Sequence, residues 1–450
     1  MDYQHLKCIT PIDGRYKSKT NDLADYFSEL SFNKYRILIE IEYLISLGKL
    51  EVYDDLDDIM TDFLRDIYKN FNLDECIKLK HIEEKINHDV KAVEYYIKDI
   101  ISKRDNSLDM INYIHFGLTS QDINSSANML MIKQSISKVL LPKMNDILTN
   151  LKTKILEWSK IPMLARTHGQ PASPTFLGKE ILVFYERLVK QARKLNAINY
   201  TTKFGGANGN FNAHHMALPN IDWIEFANKF TQIFGLERNQ YTTQIDHYDN
   251  YAEIFDCLRR INVILIDFCQ DIWLYISRNL LIQKIKEGEV GSSTMPFKIN
   301  PINFENAEGN FLLANSLLEF FSRKLPISRL QRDLTDSTIL RNVGSAFSYI
   351  LIAFISLETG LDKLDINKKQ IEQELNENYV VVTEGIQTRM KVLGMDDSYE
   401  KMKELTRKHT DNSSMKKEII NFIDINDFSD EEKKYLKTIT PFNYTGIYKL

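Results

Sequence analysis

The sequence has 450 residues, 43% hydrophobic and 26% charged, a balance typical of globular proteins that bury a large core. Its 57 Lys and Arg against 62 Asp and Glu give a net charge of −5 with no basic block, which argues against binding to duplex nucleic acid. Only 17 glycines and 10 prolines occur, so we expect long elements with few turns.

The cysteines and the apolar stretches indicate the compartment. The four cysteines lie far apart without a CxxC pair, which argues against a disulfide framework or a cysteine-rich zinc site. The polar start has no apolar run of a signal peptide. The stretch 342–357 is shorter than the roughly 20 residues that cross a bilayer, and we interpret it as a buried helix. We therefore expect a cytoplasmic protein without nucleic-acid or membrane partners.

Long helices dominate the predicted elements. Between Gly117 and Gly169 no other glycine occurs, and only Pro142 and Pro162 interrupt the pattern, which predicts two long helices. Further helices are predicted over residues 175–200, 251–287, 302–325 and 338–357.

The segment 251–287 contains neither Pro nor Gly and has more than one apolar stripe. The residues outside its main seam are Phe255, Val263, Ile266, Cys269 and Trp273, which predicts packing on several neighbours, other subunits among them. The seam steps by four and three residues through Ile254, Leu258, Ile261, Leu265, Phe268 and Ile272, as in a helix bundle.

Strand-like alternation is scarce, although residues 379–383 could form a short strand. We therefore predict an all-α fold. We divide it into an N-terminal helical domain over residues 1–110, a central long-helix bundle over 111–365 and a C-terminal helical domain over 366–450.

A polar segment, GSSTMPFKINP over residues 291–301, lies between two of the longest apolar helices. By composition it is a helix connection, with glycine ending one helix and proline entering the next. However, Ser292 and Ser293 supply hydroxyls, Lys298 a cation and Asn300 an amide. Together these groups suit proton abstraction beside an anionic carboxylate.

Three other polar segments are candidates for the site. His168 lies in a polar turn over residues 166–172, which we place at a helix junction; a lone histidine is more often structural, but imidazole suits acid–base work. The segments 87–89 and 115–122 are equally compatible with helix capping, for which Ser120 and Asp122 are good N-cap residues.

Several familiar motifs are missing from the sequence. No GxxxxGK[ST], HExxH or GxSxG occurs, which disfavours ATP hydrolysis and zinc peptidase chemistry. The glycine-rich run 205–209 follows no strand signal and is interpreted as a tight loop. His214 and His215 form no metal-ligand pattern.

The segment 291–301 resembles the signature loop of the fumarase/aspartase superfamily. Further segments resemble its adenylosuccinate lyase branch, so the similarity covers nearly the whole chain. These are PIDGRY at 11–16, NHDVKAVEYY at 87–96, HFGLTSQD at 115–122, ARTHGQPASPT at 165–175, RDLTDSTILRN at 332–342 and TPFNYTG at 440–446. The resemblance implies a fumarase/aspartase-like fold of three helical domains, whose central bundle is completed in a homotetramer.

The resemblance also implies a reaction. A family member eliminates fumarate from adenylosuccinate to give AMP, and from the succinylated carboxamide ribotide of purine synthesis, SAICAR, to give AICAR. It implies no metal and no cofactor, and active sites assembled from loops of three subunits.

By the same resemblance, Ser292 is the general base and His168 the general acid. Lys298 and Asn300 hold the succinyl carboxylate, and His88 resembles a histidine near the phosphate or the acid. The remaining substrate-binding positions implied are Arg15, Tyr16, Asn87, Asp89, His115, Thr119, Ser120, Gln244, Ser293, Asn306, Arg332, Ser337, Thr338 and Arg341.

Two alternatives stay open. One is a sister lyase acting on argininosuccinate, malate or aspartate, which the nucleotide contacts of Arg332, Ser337 and Arg341 would separate. The other is a non-catalytic helical scaffold that reuses the fold. Retention of Ser292 and His168 disfavours the scaffold.

Overall fold

The computed structural model describes residues 4–284, 295, 298–408 and 412–450, and helices make up most of them, which confirms the all-α prediction. The helices are α1 (Lys17–Phe27), α2 (Glu29–Gly48), α3 (Asp58–Lys69), α4 (Leu73–Ile86), α5 (Asp89–Arg104), α6 (Ser120–Ser135), α7 (Leu141–Glu157), α8 (Leu177–Ala197), α9 (Asn212–Ala217), α10 (Trp223–Gln232), α11 (Asp249–Ser277), α12 (Ile302–Lys324), α13 (Thr335–Leu340), α14 (Val343–Lys363), α15 (Lys368–Glu377), α16 (Thr383–Val392), α17 (Ser398–Lys408), α18 (Asn412–Ile425) and α19 (Asp430–Leu436).

Short strands form two-stranded ribbons. They are β1 (Pro162–Thr167), β2 (Gln170–Phe176), β3 (Thr201–Thr202), β4 (Glu237–Arg238), β5 (Leu281–Gln283) and β6 (Leu364–Ile366). The pairs β1–β2 and β5–β6 are antiparallel, and β3–β4 is parallel. The first pair, an antiparallel hairpin, carries one candidate residue, His168, at its tip.

The chain divides into two compact units. Unit 1 comprises Met1–Met144, Gln191–Val263 and Gly309–Ile355, and unit 2 comprises Asn145–Lys190, Ile264–Glu308 and Ser356–Leu450. Every boundary falls inside a long helix, namely α7, α8, α11, α12 or α14. The three-domain division of the sequence stays a prediction.

In unit 1 the centre of the core is α2. Its N-cap is Ser28, whose hydroxyl accepts from the Ser31 N–H at 3.1 Å. The helix is apolar around most of its circumference, as a helix surrounded by neighbours must be. The side chains of Ile37, Ile39, Ile41, Tyr43, Leu44, Ile45 and Leu47 are all at most 1% exposed.

In unit 2 the C-terminal helices enclose a separate apolar cluster. Val382, Ile386 and Met390 pack there against residues of α17 to α19. The C-terminal segment also reaches the base of the β1–β2 hairpin, since the Tyr448 hydroxyl donates to the Ser159 carbonyl at 2.6 Å. Its ring lies 5.4 Å from that of Phe176, so this segment fixes the hairpin at its base.

The predicted seam of α11 is confirmed, because all six of its apolar residues are buried. The helix ends earlier than predicted, at Ser277 instead of residue 287. Asn279 adopts a left-handed backbone with φ 61°, a conformation that terminates helices, and β5 follows. Off the seam, Phe255 and Cys269 are buried within the chain, whereas Val263 and Trp273 remain 50% and 41% exposed.

The apolar stretch over residues 342–357 forms most of α14, and the prediction of a buried helix is confirmed. Phe347, Ile350 and Leu357 have no exposed surface. The helical stretch Thr335–Lys363 is long and apolar enough to cross a bilayer, yet 56% of its most apolar window is buried inside the protein. Such burial is typical of a core helix.

Two local predictions are wrong. Residues 379–383 are not a strand, because Tyr379–Val382 forms a 3₁₀ helix. The two helices predicted after Gly117 exist as α6 and α7, joined by a π-helical turn over Ile136–Leu140 that precedes Pro142, a residue that cannot donate an intrahelical bond. After α7, however, the chain forms the β1–β2 hairpin, so His168 is not at a helix junction.

Candidate active site

A cavity of about 820 Å³ lies in unit 1 between α2, α5, α6 and the segment around α13. Its lining brings together predicted residues that are far apart in sequence. These are Asn87, His88, Asp89, Ser120, Arg332, Ser337, Thr338 and Arg341.

The turn between α4 and α5 presents three of these residues. Asn87 has a left-handed backbone with φ 53°, and its N–H caps α4 by donating to the Glu83 carbonyl at 2.7 Å. His88 is the N-cap of α5, and its Nδ1 accepts from the Lys91 N–H at 3.1 Å. Because Nδ1 accepts, the neutral ring carries its proton on Nε2, which leaves that N–H available as a donor.

A buried arginine that the sequence did not single out supports this turn. Arg36 is 1% exposed, and its Nη2 lies 2.5 Å from Asp89 Oδ2 while its Nε donates to Asn124 Oδ1 at 2.9 Å. The same Asp89 oxygen accepts from Arg341 at 3.2 Å. Burial raises the pKa of Asp89, but the Arg36 guanidinium outweighs burial and holds that pKa below its usual value. The carboxylate therefore stays charged and joins the two arginines.

Arg332 faces the cavity with loosely engaged donors. Its Nη1 lies 3.4 Å from Gln244 Oε1 and its Nη2 lies 3.2 Å from the Ser337 hydroxyl. Its Nε is buried and has no hydrogen-bond partner within the described part of the chain. A guanidinium with an unsatisfied buried donor is suited to an anion such as phosphate.

The start of α6 is fixed by a buried ion pair. Thr119 is the N-cap, so the prediction of Ser120 or Asp122 as the N-cap is wrong; instead, Asp122 Oδ2 accepts from the Thr119 N–H at 2.8 Å. Asp122 Oδ1 lies 2.6 Å from Lys203 Nζ, and neither side chain has exposed surface. The Gly205 N–H donates to the same oxygen at 2.8 Å, so the glycine-rich loop is tied to α6.

His115 lies outside the cavity lining, in a cluster of carboxylates. Its Nδ1 is 2.5 Å from Glu40 Oε1, its Nε2 is 3.7 Å from Glu94 Oε1, and its side chain is 12% exposed. Burial lowers the pKa of His115, but Glu40 and then Glu94 outweigh burial and raise it to about 9. The imidazole is therefore charged at neutral pH.

His214 has the opposite environment. It lies among aromatic rings, with Trp223 at 4.8 Å and Phe116 at 6.0 Å between ring centroids. Burial lowers its pKa to about 4, so it is neutral. Within the described ranges no cluster of His, Cys, Asp and Glu could hold a metal ion.

His168 occupies the tip of the β1–β2 hairpin in unit 2. His168 and Gly169 both have positive φ, 53° and 74°, as a two-residue type I′ turn requires. Arg166 braces the turn by donating to the Gly169 carbonyl at 3.2 Å, and its Nη2 lies 3.6 Å from Glu374. The hairpin is thus fixed at its base and near its tip, while the imidazole is exposed.

The other predicted residues are spread over both units. Two of them, Arg15 and Tyr16, belong to unit 1, where the Arg15 guanidinium lies 5.9 Å from the centre of the Tyr16 ring. They do not line the cavity, and neither do Thr119 and Gln244. Lys298, Asn300 and Asn306 belong to unit 2; Lys298 is exposed, and Asn306 accepts from the Ser356 hydroxyl at 2.7 Å. Ser292 and Ser293 lie outside the described residues.

Comparison with known proteins gives family matches over most of the sequence. A family model described as lyase matches residues 14–312, and one described as the C-terminal part of adenylosuccinate lyase matches residues 328–445. The adenylosuccinate lyase of Dictyostelium discoideum is 49% identical over 98% of this chain and 97% of its own. That of Escherichia coli K12 is 42% identical over 99% and 98%.

Solved structures share the fold at much lower identity. A fumarate lyase from Mesorhizobium sp. BNC1 superposes with a TM-score of 0.75 at 16% identity and covers 95% of each chain. The β-carboxy-cis,cis-muconate cycloisomerase of Acinetobacter calcoaceticus gives 0.73 at 14%, covering 96% of this chain and 97% of its own. These likenesses bear on the architecture alone.

Proposed function

Because this chain belongs to the adenylosuccinate lyase family of the fumarase/aspartase superfamily, we propose that it eliminates fumarate from adenylosuccinate and releases AMP. The chain is accordingly a carbon–nitrogen lyase. We extend the proposal to SAICAR, which carries the same succinylamino group beside a ribose phosphate. High identity to adenylosuccinate lyases over nearly the whole chain favours this family over the argininosuccinate branch.

The single observation that carries the substrate assignment is the set of donors around the cavity in unit 1. Arg332 and Arg341 point into one cavity with the Ser337 hydroxyl, and the buried Arg332 Nε lacks a partner among the described residues. Arg341 lies 3.4 Å from Glu29 and 3.2 Å from Asp89. Both distances are longer than the roughly 2.8 Å of a strong charged hydrogen bond. A phosphate group could replace them at little cost.

The elimination needs a base and a cation at the succinyl end. A proton must leave the carbon next to a carboxylate, and the resulting negative charge spreads onto that carboxylate. We assign Ser292 as the base, with Lys298 and Asn300 stabilising the carboxylate. A serine hydroxyl is a weak acid, so its ionisation requires surrounding donors and exclusion of water.

The departing nitrogen needs a proton, and we assign His168 as its donor. The support is geometric: a short braced hairpin holds the imidazole at an exposed tip. Imidazole exchanges protons near neutral pH. We place His88 beside the phosphate or beside this acid, since its Nε2–H is available as a donor.

We further propose a homotetramer in which one site takes residues from several copies. The support is apolar surface on long helices: Leu274 on α11 and Leu312, Leu313 and Phe320 on α12 are 42–52% exposed. Burying such side chains between subunits would be favourable. In this arrangement the His168 hairpin of one copy completes the cavity of another.

We also propose a cytoplasmic location, given the buried α14.

A direct ultraviolet assay of adenylosuccinate cleavage by the purified tetramer tests the activity. We expect turnover without added metal. In a parallel thermal-unfolding assay, AMP should raise the Tm by binding the native state, whereas arginine should not. Protection by arginine together with no protection by AMP would overturn the substrate assignment.

A further inference from the structure

The segment between Gln244 and α11 contains a buried tyrosine with an unusual backbone. Tyr248 is 1% exposed, and its φ of 62° is in the left-handed region that bulky side chains rarely adopt. Its N–H donates to Asp246 Oδ1 at 2.8 Å. Strained backbone of this kind persists only where the surroundings hold it in place, and it is concentrated at functional sites.

The tyrosine hydroxyl reaches the helix that carries the proposed phosphate ligands. Tyr248 Oη donates to Asp336 Oδ2 at 2.8 Å, and Asp336 Oδ1 accepts from the Ser337 N–H at 2.7 Å. Asp336 is itself 5% exposed. Burial and the Asp336 charge raise the pKa of the Tyr248 phenol far above its usual value, so the hydroxyl remains a donor.

Two connections therefore join the Gln244 segment to α13. The first connection is made by Arg332, which lies 3.4 Å from Gln244 and 3.2 Å from Ser337. Beneath, the Tyr248–Asp336 bond is shorter and shielded from water. The Tyr248–Asp336 bond is short and buried, whereas the Arg332 contacts are long and only partly buried, so the buried connection is the stronger of the two.

We propose that Tyr248 and Asp336 are positioning residues that set the spacing of Gln244, Arg332 and Ser337 for the phosphate end of the substrate. This inference rests on the proposed function of those three residues. Neither Tyr248 nor Asp336 lines the cavity, so they act through Ser337 and the Gln244 segment.

The test compares Tyr248→Phe with Tyr251→Phe. Tyr251 is a matched control, because it has no exposed surface, its ring lies 5.2 Å from that of Tyr248, and its hydroxyl donates to the Ser125 carbonyl at 3.4 Å. Each variant removes one buried hydroxyl from the same aromatic cluster. A general loosening of this cluster would therefore appear in both variants, whereas loss of the bond to α13 is confined to Tyr248→Phe.

We expect Tyr248→Phe to raise KM for adenylosuccinate about tenfold with kcat within about twofold, because uniform binding of the phosphate is weakened. Tyr251→Phe should keep both constants. The thermal protection given by AMP should require about tenfold more AMP in Tyr248→Phe, while any protection given by adenosine, which lacks the phosphate, should not change.

An unchanged KM and unchanged AMP protection in a folded Tyr248→Phe would overturn the proposal, as would an equal loss of adenosine binding. If Tyr248→Phe does not fold, Asp336→Asn replaces it. Asparagine has one acceptor oxygen, whereas Asp336 accepts from Tyr248 and from the Ser337 N–H through separate oxygens, so one of the two bonds is lost and the same outcomes apply. Wild-type protein that neither cleaves adenylosuccinate nor binds AMP would instead refute the proposed function.

Discussion

The cavity of unit 1 and the hairpin tip of unit 2 present their polar groups in different ways. Around the cavity, ion pairs with buried members hold the site: the buried Arg36 with the partly exposed Asp89, and Lys203 with Asp122, both fully buried. At the tip, an exposed His168 is held by backbone geometry and by Arg166. Removing one partner of a buried ion pair lowers the stability of the fold, whereas changing an exposed side chain in a turn leaves the stability nearly unchanged. Substitutions near the cavity should therefore alter stability and binding, and those at the tip should alter turnover alone.

The largest effect is expected for His168→Gln. Removing the proposed general acid should lower kcat about 10² to 10⁴-fold, measured by the ultraviolet assay. The free energy of unfolding should change by less than about 0.5 kcal/mol, since the side chain is exposed. His215→Gln, at another exposed histidine, is the control and should keep full turnover. Near-normal turnover of His168→Gln would remove it as the acid.

Lys203→Met tests the buried support of the cavity. It leaves Asp122 in the interior without its cationic partner, which should lower the free energy of unfolding by about 3 to 5 kcal/mol in denaturant titrations. The exposed pair of Lys229 with Glu225 provides the control, and Lys229→Met should cost less than about 1 kcal/mol. Equal effects of the two variants would contradict the contrast between buried and exposed charges.

A smaller effect is expected from pH through His115. The folded protein holds its pKa at about 9, above the roughly 6.5 of an unfolded chain, so protonation stabilises the fold. That stabilisation is complete below pH 6.5 and is lost as the pH rises towards 9, by about 3 kcal/mol at most. His115→Gln should flatten the decline in unfolding free energy over this range. An identical decline in both proteins would disprove the assignment.

Local patterns predicted the helical architecture better than the site. The α11 seam and the buried α14 follow from spacing and hydropathy, which depend on near neighbours in sequence. The sequence pattern predicts a helix junction at His168 instead of a hairpin, because the two strands are short and rich in proline. The cavity residues were predicted only because their motifs resemble those of a known family. Nothing else in the sequence connects them, because they come close together only in the folded chain.

The missed residues share one physical property. Arg36 pairs with Asp89, and Tyr248 with Asp336, across 53 and 88 residues of sequence. Arg36 is one of several charged residues of α2, with Glu40 and Glu42 close by, so its charge gave no distinct signal in the sequence. Tyr248 gave no signal, because its left-handed backbone is visible only in the structure.

The most direct test of a site shared between copies is to mix two inactive variants. Arg332→Gln removes the proposed phosphate ligand of the cavity, and His168→Gln removes the proposed acid at the hairpin tip. Unfolding and refolding the two together should form mixed tetramers, in which an intact cavity meets an intact hairpin from a different copy. We predict adenylosuccinate cleavage well above that of either variant alone. Mixed tetramers, verified by native mass spectrometry, that show no such gain would contradict the account.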